Sequence, residues 1–272
     1  MVNVLDKLKK LVPGKPGKPR KEGGQGNHWF VFFGGDKDKL LNMVDDTIKN
    51  ASSTEKQKVD VLGKDHDLDV YDSSGKIFTR MLVVDKTVYS GFPVGPTTLS
   101  LNGTIQGVDE WMNEVEGEVV VNVGSMDGST ALTFFDVEYY KKKQFYNVGD
   151  EVTVSLCGLA YYVEKAKEKK FKAKGMGEVS TKTMACLVPA SFTSANANSD
   201  DYFFQGQVKK MTSFKCYDQQ MFELTVGVLR LDGSYENEAD LVIYTPKCMC
   251  KKFKKGDYVS GNLWLQGTVT LG

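Results

Sequence analysis

The feature that most constrains this 272-residue chain is a set of landmarks that occurs twice, in the same order, over its last two thirds. Near Leu101 the chain reads LNGTIQGV, and near Phe204 it reads FQGQVKKM. Gly124 (in VGSMDG) follows Gly103 by twenty-one residues, and Gly227 (in VGVLRLDG) follows Gly206 by the same interval. β-favouring runs come next, at 131–135 and 239–244, each leading into a Lys-rich connector, VEYYKKKQFYNVGDEV and TPKCMCKKFKKGDYV. Both connectors end on Phe, Gly-Asp and Val: Phe145, Gly149-Asp150 and Val152 in the first, Phe253, Gly256-Asp257 and Val259 in the second. A leucine lies seven residues past each of those glycines, at Leu156 and Leu263, and a further glycine follows, Gly158 and Gly267. Self-similarity of this kind marks duplication of a structural unit.

Each landmark has a physical meaning. Gly103 and Gly206 fall inside first strands, where glycine permits a bend or bulge. Asp127-Gly128 and Asp232-Gly233 read as hairpin turns, since Asp-Gly tolerates positive φ. Gly149-Asp150 and Gly256-Asp257 turn each connector into a long strand. Three strands, a connector and a fourth strand is the order of a small Greek-key barrel. The pattern resembles the OB-fold superfamily over about 99–165 and 202–272, which implies a mainly β protein with two tandem OB-like small barrels, closed or open. The segments TFFDVEYY, STKTMACLVP, DDYFFQG and GNLWLQG are also similar to those of uncharacterised bacterial proteins, from which no activity carries over. A five-stranded barrel needs one strand more than 202–272 supplies. The sources open to it are the segment 184–188, a long strand bent at Gly261 or Gly267, or an open barrel.

The expected organisation is a basic flexible tail (1–27), a small α+β lead region (28–98), a first OB-like unit with its basic connector (99–190), a linker (191–201) and a second unit (202–272). The tail carries PGKPGKPRKEGGQGN, whose prolines, glycines and charges cannot build a core. In the lead region HWFVFF reads as a strand ending at Gly34-Gly35. Leu40, Leu41, Val44 and Ile48 have helical spacing behind Asp36 as N-cap. Residues 59–62, 68–71 and 77–84 read as strands, with Asp72-Ser-Ser-Gly75 turning between the last two.

Thirty-five basic residues balance thirty-five acidic ones, so only a local patch could attract nucleic acid. No apolar run reaches the roughly 18 residues of a membrane span, and Met1–Val12 lacks a signal-peptide core. Five sparse cysteines, Cys157, Cys186, Cys216, Cys248 and Cys250, read as reduced thiols. A cytoplasmic protein is the expectation, without membrane or cofactor.

The only histidines, His28 and His66, lie in no nucleophile context. The acidic stretch Asp65-His66-Asp67-Leu68-Asp69 lacks the glycine and distal glutamate of a calcium loop. Cys248-Met249-Cys250 is C-x-C, not the C-x-x-C of zinc or redox sites. No catalytic constellation emerges, so the reading is a non-enzymatic protein acting through protein–protein interaction or self-assembly. The alternative partner is single-stranded DNA or RNA, which OB barrels hold with exposed aromatics and a basic groove. The candidate residues for that role are Phe135, Tyr139, Tyr140, Lys141, Lys142 and Lys143 in the first unit, and Tyr244, Lys247, Lys251 and Lys252 in the second, with Lys254 and Lys255 beside them.

Overall fold

The computed structural model describes residues 28–29, 32, 37–124, 130–168, 170–173, 177–192, 197–230, 238–250 and 252–272. The expected basic tail, the Gly34-Gly35 turn, the Asp36 cap and both Asp-Gly hairpin turns lie outside the described residues. The protein is mainly β, and no helix among the described residues is long and apolar enough to cross a membrane.

Among the described residues, the lead region sets the helix Lys37–Lys49 against a four-stranded antiparallel meander. Helix α1 (Lys37–Lys49) turns Leu40, Met43, Val44 and Thr47 inward, whereas Leu41 stays exposed. Strands β1 (Ser53–Val61), β2 (Lys64–Asp72), β3 (Phe78–Val84) and β4 (Thr87–Val94) pair in sequence order. Two of the hairpins close on two-residue turns with positive φ at both positions, Leu62-Gly63 and Asp85-Lys86, the geometry whose twist matches the flanking strands. The outer strand β1 is shielded by charge, with Lys56 and Lys58 paired across to Asp69 and Asp67. This is how exposed edges are kept from pairing with other chains.

The duplicated region forms one sheet of nine strands. The first unit contributes β5 (Leu99–Glu110), β6 (Gly117–Val123), β7 (Thr130–Asp136), the short helix α2 (Tyr139–Lys142) and the long β8 (Glu151–Lys165). A separate hairpin, β9 (Lys170–Ala173) and β10 (Gly177–Ser180), and the short β11 (Cys186–Pro189) precede the second unit. That unit contributes β12 (Asp201–Cys216), β13 (Gln219–Arg230), β14 (Glu238–Pro246) and β15 (Tyr258–Leu271).

The pairings close on themselves twice. One circuit runs β5–β6–β7–β15–β8 and back to β5; the other runs β12–β13–β14–β8–β15 and back to β12. Each unit therefore takes its fifth strand from the other, and the antiparallel pair β8·β15 belongs to both. Of the three sources expected for the missing strand, none is the one used. Segment 186–189 does pair with β12, but outside the circuit.

The two units are related by a pseudo-twofold axis through the pair Gly158↔Leu265, whose members are themselves equivalent. Phe135 lies beside Gln266 in the parallel pairing β7·β15, and the equivalent Tyr244 lies beside Leu159 in β14·β8. The Gly-Asp landmarks also match atom for atom. Gly149 (φ +99°) donates its N–H to the Ile105 carbonyl at 2.8 Å, while Ile105 N–H donates to the Asp150 carbonyl at 3.0 Å. Gly256 (φ +89°) and Asp257 repeat this on Val208 at 2.8 and 3.0 Å. This is a bulge in which glycine supplies the left-handed residue. Each aspartate also caps its own turn, Asp150 accepting from Asn147 N–H and Asp257 from Lys254 N–H.

Two of the sequence landmarks are not equivalent. Gly227 stands opposite Gln207, the place that Asn122 takes opposite Thr104, so Gly124 and Gly227 are offset by two residues. Gly158 and Gly267 are offset likewise. Each nevertheless leaves room for a leucine of the opposite long strand, Leu263 over Gly158 and Leu156 over Gly267.

Two apolar clusters hold the body. Inside the circuits lie Ile105, Val119, Val121, Phe134, Val154 and Leu156 with Phe204, Val208, Leu224, Leu241, Ile243 and Leu263. On the outer face of β7, β8, β14 and β15, the lead region packs Trp29, Phe32, Leu68, Val70, Leu82 and Phe92 over Phe135, Cys157, Leu159, Tyr244 and Trp264. At about 25 cal/mol per Å² of apolar area, each fully buried side chain of this size contributes about 1.5–3 kcal/mol.

Candidate functional site: the two connectors and the covered face

The alternation of strands places Phe134 inside its circuit and Phe135 outside, yet both are fully buried. The lead sheet explains the second. Phe92 meets Phe135 edge-on at 4.9 Å between centroids, and Trp264 lies 5.1 Å away. The equivalent Tyr244 is buried in the same way, its hydroxyl donating to the Pro96 carbonyl at 3.1 Å. Tyr139 and Tyr140 are also buried, Tyr139 donating to Glu110 at 3.2 Å. The expectation that these four rings face solvent as stacking platforms is corrected by this packing: a ring covered on both sides offers no face to a base.

The lysines of the first connector are engaged as well. Lys141 pairs with Glu55 of β1, and Lys142 with Glu138 at 2.6 Å and the Val269 carbonyl at 2.6 Å. Lys143 donates to the carbonyls of Asp60 at 2.8 Å and Glu114 at 2.7 Å, with Glu110 at 3.4 Å. This connector clamps the lead sheet to the first unit. The expected phosphate-binding run thus spends its charge within the protein.

The second connector differs: among the described residues, no hydrogen bond or salt bridge ties it to the lead sheet. Lys247, Lys252, Lys254 and Lys255 are exposed, and Lys251 lies outside the described residues. Among the described residues, Lys247, Lys252 and Lys255 form no salt bridge. Cys248 approaches Gln219, Cys250 lies against Thr245 and the Pro246 carbonyl, and Cys216 meets the Ile77 carbonyl. These three thiols are not brought together, and no group of three or more metal-ligating side chains occurs among the described residues.

Three buried polar clusters were not legible beforehand. Glu116 is enclosed between Ser90 Oγ and Asn113 Nδ2, the latter at 2.6 Å, and burial pushes its carboxyl up to about 7. Asp136 accepts from Tyr146 Oη at 2.5 Å and Glu138 N–H at 3.0 Å; burial outweighs those bonds and raises it to about 6. The third cluster pins the start of the described chain. His28 stacks on Trp264 at 4.0 Å, and its Nδ1 is 2.6 Å from Tyr161 Oη, which lies 2.5 Å from Asp201. Burial holds the imidazole down to about 3. The ring is therefore neutral, and since Tyr161 gives its one proton to the carboxylate, Nδ1 is the donor to Tyr161. Next to it, Asp200 accepts from Trp264 Nε1 at 2.7 Å. The end of the expected linker is thus anchored on the pseudo-twofold face. Asn113 with Glu116 in the β5–β6 loop, and Asp136 with Glu138 and Tyr146, are local in sequence; the third cluster joins residues far apart.

Elsewhere, Cys157 is fully buried and desolvation pushes its thiol up to about 12, so it carries no thiolate near neutral pH. His66 meets Asp85 at 2.6 Å, while Asp67 and Asp69 answer Lys58 and Lys56. These carboxylates complete a surface charge ladder and do not converge on a common point.

No protein-family model matches this chain, and no curated protein matches it.

Proposed function

We propose that the chain is a non-enzymatic binding and assembly protein built on two OB-like β units that exchange their fifth strands, and that it acts by contacting other proteins. Five strands per closed circuit, with a helical connector between the third and fourth, support the OB-like reading. Fold alone does not choose the partner. The observation that carries the choice is the state of the first connector: its three lysines are held by Glu55, Glu138 and Glu110 and by backbone carbonyls, and its Tyr139 and Tyr140 are buried. Single strands need both free cations and open ring faces. Exposed apolar side chains favour a protein surface instead, with Phe145 53% and Val148 71% exposed beside the first Gly-Asp turn, and Phe192 78% exposed after β11.

A second reading, phosphate contact through the second connector, rests on the exposed Lys247, Lys252, Lys254 and Lys255. Anisotropy of a labelled single-stranded oligonucleotide separates the two. At about 50 mM salt, where non-specific phosphate binding is strong, the proposal expects no change up to tens of micromolar protein. Binding that weakens steeply with added salt would replace the protein-contact reading with the phosphate one.

A further inference from the structure

The pseudo-twofold makes each unit a template for the other, and they differ at one strand edge. In the second unit, β12 is flanked on both sides along its first half. Residues 201–207 pair with β15, and Tyr202–Gln205 pair on the opposite side with β11, Cys186 opposite Gln205 and Leu187 opposite Phe204. The side chain of Leu187 enters the interior cluster. In the first unit the equivalent stretch is Leu99–Asn102, which pairs with β8 on one side. The ladder to β6 begins only at Gly103, so among the described residues no strand occupies the other side.

The bond from Ile105 N–H to the Asp150 carbonyl sets the alternation along β5. Leu99, Leu101 and Gly103 direct their backbone groups at β8, and Ser100 and Asn102 direct theirs away from it, into the place that β11 fills in the other unit. The side chains agree. Leu99 and Leu101 retain 8% and 6% exposure, whereas their equivalents Tyr202 and Phe204, roofed by β11, retain 1% and 0%. Ser100 and Asn102 are small, polar and exposed, without the lysines that shield β1. An open edge without such protection is a template for strand addition.

We propose that the edge Ser100–Asn102 is a docking site for an extended segment of a partner protein, added antiparallel to β5 as β11 is added to β12. The occupant's chemistry follows from β11: Cys-Leu-Val-Pro, with one leucine turned into the interior, its neighbours half-exposed and a proline ending the strand. The recognised class is therefore a short extended peptide with an apolar residue over Leu101, held by main-chain hydrogen bonds through Ser100 and Asn102. This inference rests on the protein-contact reading above and names the surface through which that contact is made.

The test uses full-length protein labelled with nitrogen-15 and a synthetic peptide of residues 182–192 carrying Cys186→Ser. The peptide should shift the amide signals of Ser100 and Asn102 and slow their hydrogen exchange at least tenfold. A peptide carrying Leu187→Asp should do neither. Ser100→Pro, which removes an outward N–H and leaves the bonds to β8 in place, should abolish the response with an unchanged thermal midpoint. If that variant is unfolded, the exchange measurement on wild type still decides. Ser100 and Asn102 amides already protected in the free protein, or no response at millimolar peptide, would overturn the proposal. Either failure, with no binding of single-stranded oligonucleotide, removes this edge and leaves the protein-contact reading standing; oligonucleotide binding removes the reading itself.

Discussion

Gly149 and Gly256 were legible from sequence because the turn itself is local, a left-handed residue with an aspartate to cap it; the strands that receive the bulges, at Ile105 and Val208, were not. Open space surrounds both glycines, so Gly256→Ala should cost only its backbone strain, about 1–2 kcal/mol in urea unfolding. Gly206→Ala should cost more, since its new methyl group would collide with the Gly227 carbonyl, which is backbone and cannot swing away. A smaller loss at Gly206 than at Gly256 would mean that β12 and β13 are further apart than described. Spacing alone misaligned Gly124 with Gly227, because a residue count does not register where a strand ends and its turn begins: residues 111–116 join β5 to β6, whereas only 217–218 join β12 to β13. Glu116 yields a prediction of the opposite kind. Its carboxyl is raised from 4.5 to about 7 by burial. The stability it contributes is therefore full below pH 4.5, where both folded and unfolded states are protonated, and is lost as pH rises through 7. Glu116→Gln should flatten that dependence and be more stable than wild type at pH 8, by about 2–3 kcal/mol. A wild-type protein whose melting temperature is constant from pH 4.5 to 8 would contradict this burial.

At the scale of elements, the connectors show how one motif takes two roles. Both copies are Lys-rich, and sequence reading treated them alike. Glu55 and Asp60, which receive Lys141 and Lys143, lie more than eighty residues upstream, on the first strand of the lead sheet. No local pattern announces a partner that distant, which is why Tyr139, Tyr140 and the three lysines read as an open surface. Strand order was more accessible: the glycine and Gly-Asp landmarks set three strands, a connector and a fourth strand in each unit, and the β-favouring runs 131–135 and 239–244 fall within β7 and β14. Lys143→Met should release the carbonyls of Asp60 and Glu114, costing about 1.5–3 kcal/mol as a charged hydrogen-bond donor does. Hydrogen exchange should then quicken in β1 and β2 while the β8·β15 pair is unchanged. Uniform acceleration throughout would show that the clamp is not confined to this contact. Lys247→Met in the second connector, where no such carbonyls are held, should leave stability within about 0.5 kcal/mol of wild type.

For the whole molecule, the decisive feature is that β8 and β15 each serve two circuits. The repeat revealed two units, and the shortage of a strand in the second was also visible. Which copy supplies which strand was not, since equivalent strands carry the same pattern and compete for the same place; only three-dimensional pairing distinguishes them. The exchange makes one interior cluster of two halves, and the lead region then seals the face over the axis. Folding should accordingly be a single cooperative event that joins segments far apart in sequence.

The most direct test is the second unit alone. Residues 197–272 contain four of their five strands and lack β8, which borders both β14 and β15. The isolated segment should give a poorly dispersed amide spectrum and no cooperative thermal transition, and it should gain both when residues 28–192 are supplied as a separate chain. A cooperative transition and a dispersed spectrum from 197–272 by itself would show that the second unit closes without the first, and would contradict the exchange of strands on which the account rests.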